Sequence, residues 1–386
     1  MVKRALLVGC NYPGTESQLT GCINDVAVMK ETLLDIYGFE EDNVVMMVDS
    51  TPTEDGYEPA AADDPLLPTF KNIVKCLSEF IQVSEEGDAL FFHFSGHGGQ
   101  IPSEDDDEEL DGLDEVIFPT DFNALTDDTF KELLSQLPEG VTFTLVADSC
   151  RSGGLLDNAE LHVGIGENQE IGDETEVMAS DLRALSLKAP LPTAAGGREI
   201  PVETIMRRLA AASGHEVTLG TIRTTTYELF QEDANPTVKK YVKTMLSHMQ
   251  DTPEEKWEQT YGEAGAQALQ HLQAIWDDES IDNDVFFSAA LNYESPQRDE
   301  GTEEAPRGKA ILISGSEADQ NSADMGTGGA LSNAIQAVVA LRGGKVTNKD
   351  LANEIRKVLM RRNLDQRPCL YCPADMLDAN FICDLD

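Results

Sequence analysis

Short runs rich in Val, Ile, Leu and Phe recur along this chain at residues 4–9, 43–48, 89–94, 143–147, 310–314 and 381–383, each bounded by turn or polar residues. Runs that short and that continuously apolar read as strands covered on both faces. Helical patterns lie between them, at 25–36, 70–80, 127–137, 331–341 and 348–360. The third opens on Asp127-Asp128-Thr129 with Glu132 close behind, a helix-start signal. Strand and helix in alternation specify a mostly parallel sheet flanked by helices, the α/β class.

The alternation breaks between Asp157 and Gly308. Residues 160–176 are polar and acidic, and 188–197 are rich in Ala, Pro and Gly and read as an exposed linker. Helical signals return at 202–212, 237–249 and 255–275, and a second polar break covers 295–308. A sheet-forming region, 1–157, is thus separated by a long linker and insertion, 158–308, from a region, 309–386, that completes the same sheet.

At 386 residues the chain can bury a large core. It carries 71 acidic and 28 basic side chains, a formal charge of −43. That surface repels nucleic acid and anionic lipid and attracts cations and basic peptides. No apolar run approaches the roughly 18 residues of a membrane span, and the start lacks a signal-peptide pattern. The seven cysteines are irregularly spaced, and Cys369-x-x-Cys372 has no second pair to complete a zinc site. Reduced thiols, a cytoplasmic location and a monomer are expected, with neither nucleic acid nor membrane as partner.

The chemistry gathers at two strand ends. The run 89–94 leads into Ser95-Gly96-His97-Gly98-Gly99, and 142–147 leads into Asp148-Ser149-Cys150-Arg151-Ser152-Gly153. Functional groups in open α/β sheets collect at the carboxyl ends of strands. A thiol and an imidazole there are a nucleophile and its proton-transfer partner. The backbone N–H groups of Gly98 and Cys150 are expected to receive the oxyanion of a tetrahedral intermediate. His93, inside its apolar strand, reads as a buried structural histidine.

These residues carry a resemblance. Gly21-Cys-Ile-Asn-Asp25, His93-Phe-Ser-Gly-His-Gly98, Asp114-Glu115, Asp121-Phe122, Asp148-Ser-Cys150 and Ser152-Gly153 resemble the metacaspases. The long insertion, Ile313-Ser-Gly-Ser-Glu-Ala-Asp319 and Ser332-Asn-Ala-Ile335 resemble the plant and algal type II members. Arg151 stands where the family usually has His.

The resemblance implies a caspase-like six-stranded sheet, cleavage after Arg or Lys, calcium activation and a zymogen that cuts its own linker. A cationic substrate side chain needs a buried carboxylate, and Cys22, Asp25, Ser95 and Asp148 match the family's pocket positions. Nine of the twelve residues 104–115 are acidic, a spacing that is not an EF-hand. The family's Ca²⁺ ligands match Asp114, Asp127, Asp128 and Asp157. Arg183, Lys188 and Arg198, read as exposed basic residues in or near the linker, are the candidate self-cleavage sites, while Arg207 and Arg208 read as helical and shielded. The alternatives are a catalytically impaired scaffold or a calcium-binding regulator.

Overall fold

The computed structural model describes residues 1–53, 56–102, 113–156, 161–163, 197–294, 308–316, 328–362, 364 and 366–385. The acidic run 104–109, Asp157, Arg183 and Lys188 lie outside the described residues.

The chain opens with β1 (Lys3–Gly9), α1 (Cys22–Asp35), β2 (Val44–Val48), the hairpin β3 (Ser50–Thr53) and β4 (Gly56–Pro59), and α2 (Phe70–Gln82). Next come β5 (Ala89–Ser95), β6 (Gly98–Pro102), β7 (Leu113–Ile117), β8 (Leu125–Thr126), α3 (Asp127–Ser135), β9 (Thr142–Asp148) and β10 (Leu161–Val163). The insertion contributes α4 (Val202–Ser213), α5 (Ile222–Phe230), α6 (Pro236–Asp251), α7 (Trp257–Trp276) and the single turns α8 (Asn283–Phe286) and α9 (Ser288–Leu291). The chain closes with β11 (Lys309–Ser314), α10 (Ala330–Arg342), α11 (Asn348–Arg361) and β12 (Cys369–Tyr371).

The main sheet runs β10-β12-β11-β9-β5-β1-β2. From β2 to β11 every pairing is parallel, while β12 and β10 pair antiparallel. The expected six-stranded, mostly parallel α/β sheet is therefore present, with the three-residue β10 added at one edge. Both faces are covered. Leu6, Val8, Phe92 and Leu145 face one apolar layer, and Leu7, Phe91, Val146 and Ile313 face another shared with α1, α10 and α11. This two-sided burial is why the strands read as unbroken apolar runs.

One strand lies elsewhere than expected. Residues 381–383 are buried, but Ile382 has φ +68° and Phe381 donates its N–H to the Val346 carbonyl, so the run is a packed turn. The sixth strand is β12, whose signal is shortened by Pro368 and Pro373 on either side. One helix start also moves: α1 begins at Cys22, which puts Asp25 one turn inside the helix, while α3 begins at Asp127 as expected. Thr126 caps α3 through a reciprocal pair with Thr129, so Asp127 and Asp128 are its first two residues.

The insertion helices have a core of their own, built on Tyr227, Val238, Trp257, Leu269 and Phe287. Arg208 lies with its guanidinium 4.3 Å from the Phe122 ring centroid, but Arg207 is exposed and pairs with Glu16, not shielded as its helical position suggested.

Candidate active site

β5 and β9 are neighbours in register, Ser95 opposite Asp148. His97 and Cys150 each lie two residues beyond that last pair, so the parallel ladder delivers them to the same place. Both are buried, at 4% and 0% exposure. The His97 main-chain N–H donates to the Tyr12 hydroxyl at 2.9 Å, and the two rings lie 4.9 Å apart. Its Nε2 is 2.7 Å from the Ser17 carbonyl. A carbonyl only accepts, so Nε2 carries a proton and donates it there. Gly98 sits hard against the Cys150 backbone: a Cβ there would collide with the Cys150 carbonyl oxygen. Glycine is required at that position for close approach.

A segment of the chain's own insertion lies in this site. The Gly98 N–H donates to the Arg198 carbonyl at 2.9 Å, and the Ile200 N–H donates back to the Gly98 carbonyl at 3.0 Å. Residues 198–200 are thereby held alongside Gly98, with Glu199 bridged to it in parallel. The Arg198 carbonyl points at the donor that sequence reasoning reserved for an oxyanion.

The Arg198 side chain is fully buried, contrary to the expectation of an exposed linker residue. Its Nη2 donates to Asp25 Oδ2 at 2.9 Å. Its Nη1 donates to Ser95 Oγ at 2.9 Å and to the Asp148 carbonyl at 2.8 Å, and stands 3.2 Å from Asp148 Oδ1. Ser95 in turn donates to Asp25 Oδ2 at 2.7 Å. Charge complementarity brings the basic residue in. A guanidinium and two carboxylates are each prohibitively costly to bury alone.

The carboxylates are themselves anchored at the start of α10. The Gly329 N–H donates to both Asp25 oxygens at 2.8 Å, and the Ser332 N–H donates to Asp148 Oδ2 at 2.7 Å. Free N–H groups in a helix's first turn suit an anion. Sequence reasoning missed Gly329. A Cβ there would strike Asp148 and Arg198, and the Gly328-Gly329 pair before a helical pattern was the available signal. Burial pushes the Asp25 carboxyl up to about 6; Arg198 opposes that rise and Asp148 adds to it. Cys22, the fourth expected pocket residue, is buried in the apolar layer and donates its N–H to Asn11 Oδ1 at 3.1 Å.

Arg151 points at the same segment. It adopts a left-handed φ of +51°, its Nε contacts Glu199 Oε1 at 2.7 Å, and its Nη1 donates to Gln100 Oε1 at 2.7 Å. His93 lies inside β5, 3.0 Å from Ser332 Oγ, and burial drops its pKa to about 3, so it is neutral. Arg183 and Lys188 fall outside the described residues, as does Asp157.

For calcium, Asp127 and Asp128 are half-buried at the start of α3. Asp128 Oδ2 accepts from Thr237 at 3.2 Å. The β7–β8 ladder pairs Val116 with Thr126. Carboxylate oxygens are the donor type a hard cation takes. Glu115, next on β7, lies against Gly154 in the loop that follows Cys150.

The fold and the Cys–His pair at its strand ends define a cysteine-type peptidase, and the comparisons with known proteins agree. The family described as metacaspase, peptidase C14 domain, matches residues 3–159. Metacaspase-6 of Arabidopsis thaliana is 34% identical over 405 residues, covering 99% of this chain and 100% of its own length. Metacaspase-7 and Metacaspase-4 of the same plant are 32% and 30% identical, again over 99% of this chain and their full lengths. A solved structure of a Geobacter sulfurreducens protein, 16% identical, superposes over the whole of both chains with a TM-score of 0.54, which shows the fold alone. The chain belongs to the metacaspases. Among the described residues no helix is long and apolar enough to cross a membrane.

Proposed function

We propose that the chain is a latent, calcium-activated endopeptidase that cleaves after Arg or Lys, and that the peptide bond following its own Arg198 is the first it cuts. One observation carries this reading: the Arg198 guanidinium fills an acidic slot while its carbonyl rests on the Gly98 N–H beside Cys150. The segment is a substrate already in place, and while it stays no other substrate can enter. Asp25, Ser95 and Asp148 form the pocket for the residue before the cut bond. Lys places one charge in the same slot with fewer hydrogen bonds.

In this reading His97 Nδ1 takes the Cys150 proton and the thiolate attacks the Arg198 carbonyl carbon. The Gly98 and Cys150 N–H groups receive the oxyanion. As the carbon–nitrogen bond breaks, His97 returns the proton to the departing amine of Glu199, and water then hydrolyses the thioester. Calcium would be held by Asp114, Asp127, Asp128 and Asp157, where its charge relieves the repulsion of crowded carboxylates. The contact of Glu115 with Gly154 gives that region a route to the nucleophile's loop. Regions 1–157 and 309–386 then act as one catalytic unit, with 158–308 as its removable restraint, and the working form is a cytoplasmic monomer.

The test compares wild type with Cys150→Ala, with and without Ca²⁺, by terminal sequencing of fragments and hydrolysis of an Arg-terminated fluorogenic peptide. We expect a Ca²⁺-dependent fragment starting at Glu199 from wild type, peptide hydrolysis rising in step, and an intact variant. Wild type that hydrolyses the peptide yet stays whole would refute the role of Arg198. No hydrolysis under either condition would favour the impaired scaffold or calcium-binding regulator.

A further inference from the structure

Away from the peptidase site, three side chains from separate parts of the insertion converge. His215 follows the Gly214 cap of α4, Glu228 is on α5, and His271 is on α7. Among the described residues they form the one group of three or more His, Cys, Asp or Glu with all ligand atoms within 4.8 Å of one another. Both imidazole Nε2 atoms face the same oxygen, Glu228 Oε2, at 2.7 and 3.3 Å.

The partners on the far side of each ring decide what those Nε2 atoms are. His215 Nδ1 lies 3.1 Å from the Glu216 carbonyl, which only accepts, so Nδ1 carries the proton. His271 Nδ1 lies 2.7 Å from the Thr224 hydroxyl, whose own proton goes to the Thr221 carbonyl at 3.0 Å. That hydroxyl must therefore accept, and His271 Nδ1 carries the proton too. With neutral rings, two lone pairs are left pointing at a carboxylate oxygen. All three atoms are acceptors, and the arrangement is repulsive until something positive stands between them. Nδ1–H held by an oxygen with Nε2 aimed inward is the arrangement of metal-bound histidine.

We propose that His215, Glu228 and His271 bind a divalent transition-metal ion, with zinc as the best match, which clips α4, α5 and α7 together. Two imidazoles and one carboxylate are a familiar zinc set that leaves a fourth position for water. Ligands at about 2.0–2.1 Å in a tetrahedron stand roughly 3.3 Å apart. The His271 contact already has that spacing, and the His215 contact needs to open by about half an ångström. The three side chains are 15–36% exposed, so an ion can reach them. Protonation is the competing way to relieve the repulsion; the contact with Glu228 pushes His215 upward. It would put two adjacent cations on one carboxylate, whereas one zinc ion satisfies all three atoms. The clip sits at the far end of the helix that leaves the peptidase site through Ile200 and Pro201, so it braces the restraining segment.

The test uses the full chain carrying Cys150→Ala, which removes both self-cleavage and the catalytic thiol as a rival ligand. Zn²⁺ is titrated calorimetrically in excess Ca²⁺, and Co²⁺ absorption reports the geometry. We expect one ion per chain, binding lost in His271→Ala, and binding weakened about 10–100-fold in Thr224→Val, which removes only the hydroxyl that orients His271. Glu228→Gln, nearly the same shape, guards against misfolding in the His variants and should also lose binding. Zn²⁺ affinity unchanged in His271→Ala and Glu228→Gln would overturn the proposal, as would no binding by the parent chain.

Discussion

Replacing Arg198 by Met keeps most of the apolar stem and removes the charge. In the intact chain that charge meets Asp25 at 2.9 Å and Asp148 at 3.2 Å, all three side chains buried. Removing one partner of a buried ion pair costs about 3–5 kcal/mol, because the remaining charges are stranded. Here the carboxylates can regain water if residues 198–200 lift out. The loss should therefore appear as local opening and not as global unfolding. At 1.36 kcal/mol per decade, it corresponds to roughly 10²–10⁴-fold less protection of the segment. The Ile200 N–H, bonded to the Gly98 carbonyl at 3.0 Å, reports that opening directly. The assay is hydrogen exchange followed by mass spectrometry on the Cys150→Ala chain with and without Arg198→Met. Asp25→Asn, added to Arg198→Met, should restore part of the protection by removing one stranded charge. Equal exchange at Ile200 in parent and Arg198→Met would mean that the guanidinium does not hold the segment.

Other expectations follow from the same geometry. Asp148→Asn keeps the shape of the slot but drops a charge, so kcat/KM for Arg-terminated peptides should fall roughly 10²–10⁴-fold with melting little changed; a loss under tenfold would exclude Asp148 from the pocket. Gly98→Ala cannot be built without moving the backbone away from Cys150, so it should abolish both self-cleavage and peptide hydrolysis while circular dichroism stays native. Asp25, lifted to about 6 by burial, holds a proton in the folded chain at pH values where the unfolded one has lost it. Burying its charge therefore opposes folding above about pH 6, and that opposition fades as pH falls toward the ordinary carboxyl value of 3.8. Melting temperature of the Cys150→Ala chain should therefore rise as pH is lowered through about 6, and Asp25→Asn should flatten that rise. The Arg151 pair with Glu199 is 24% and 30% exposed, so Arg151→Ala should loosen the segment by about 1 kcal/mol or less, no more than roughly fivefold in exchange.

The sequence by itself determined the α/β alternation and the two strand ends that bring His97 and Cys150 together. Both depend on local patterns: apolar runs buried on two faces, and small residues where those runs stop. It could not tell β12 from the buried turn at 381–383, because apolarity records burial and not whether a backbone is extended. Nor could it see Arg198 enter the slot. A basic residue beside an Ala/Pro/Gly-rich stretch reads as exposed, and only the folded sheet sets Asp25 from α1 and Asp148 from β9 close enough to draw it in. The same holds for His215, Glu228 and His271, which come from separate parts of the insertion and share no local motif. Contacts between residues far apart in the chain are made by packing, and packing is what a one-dimensional pattern leaves undetermined.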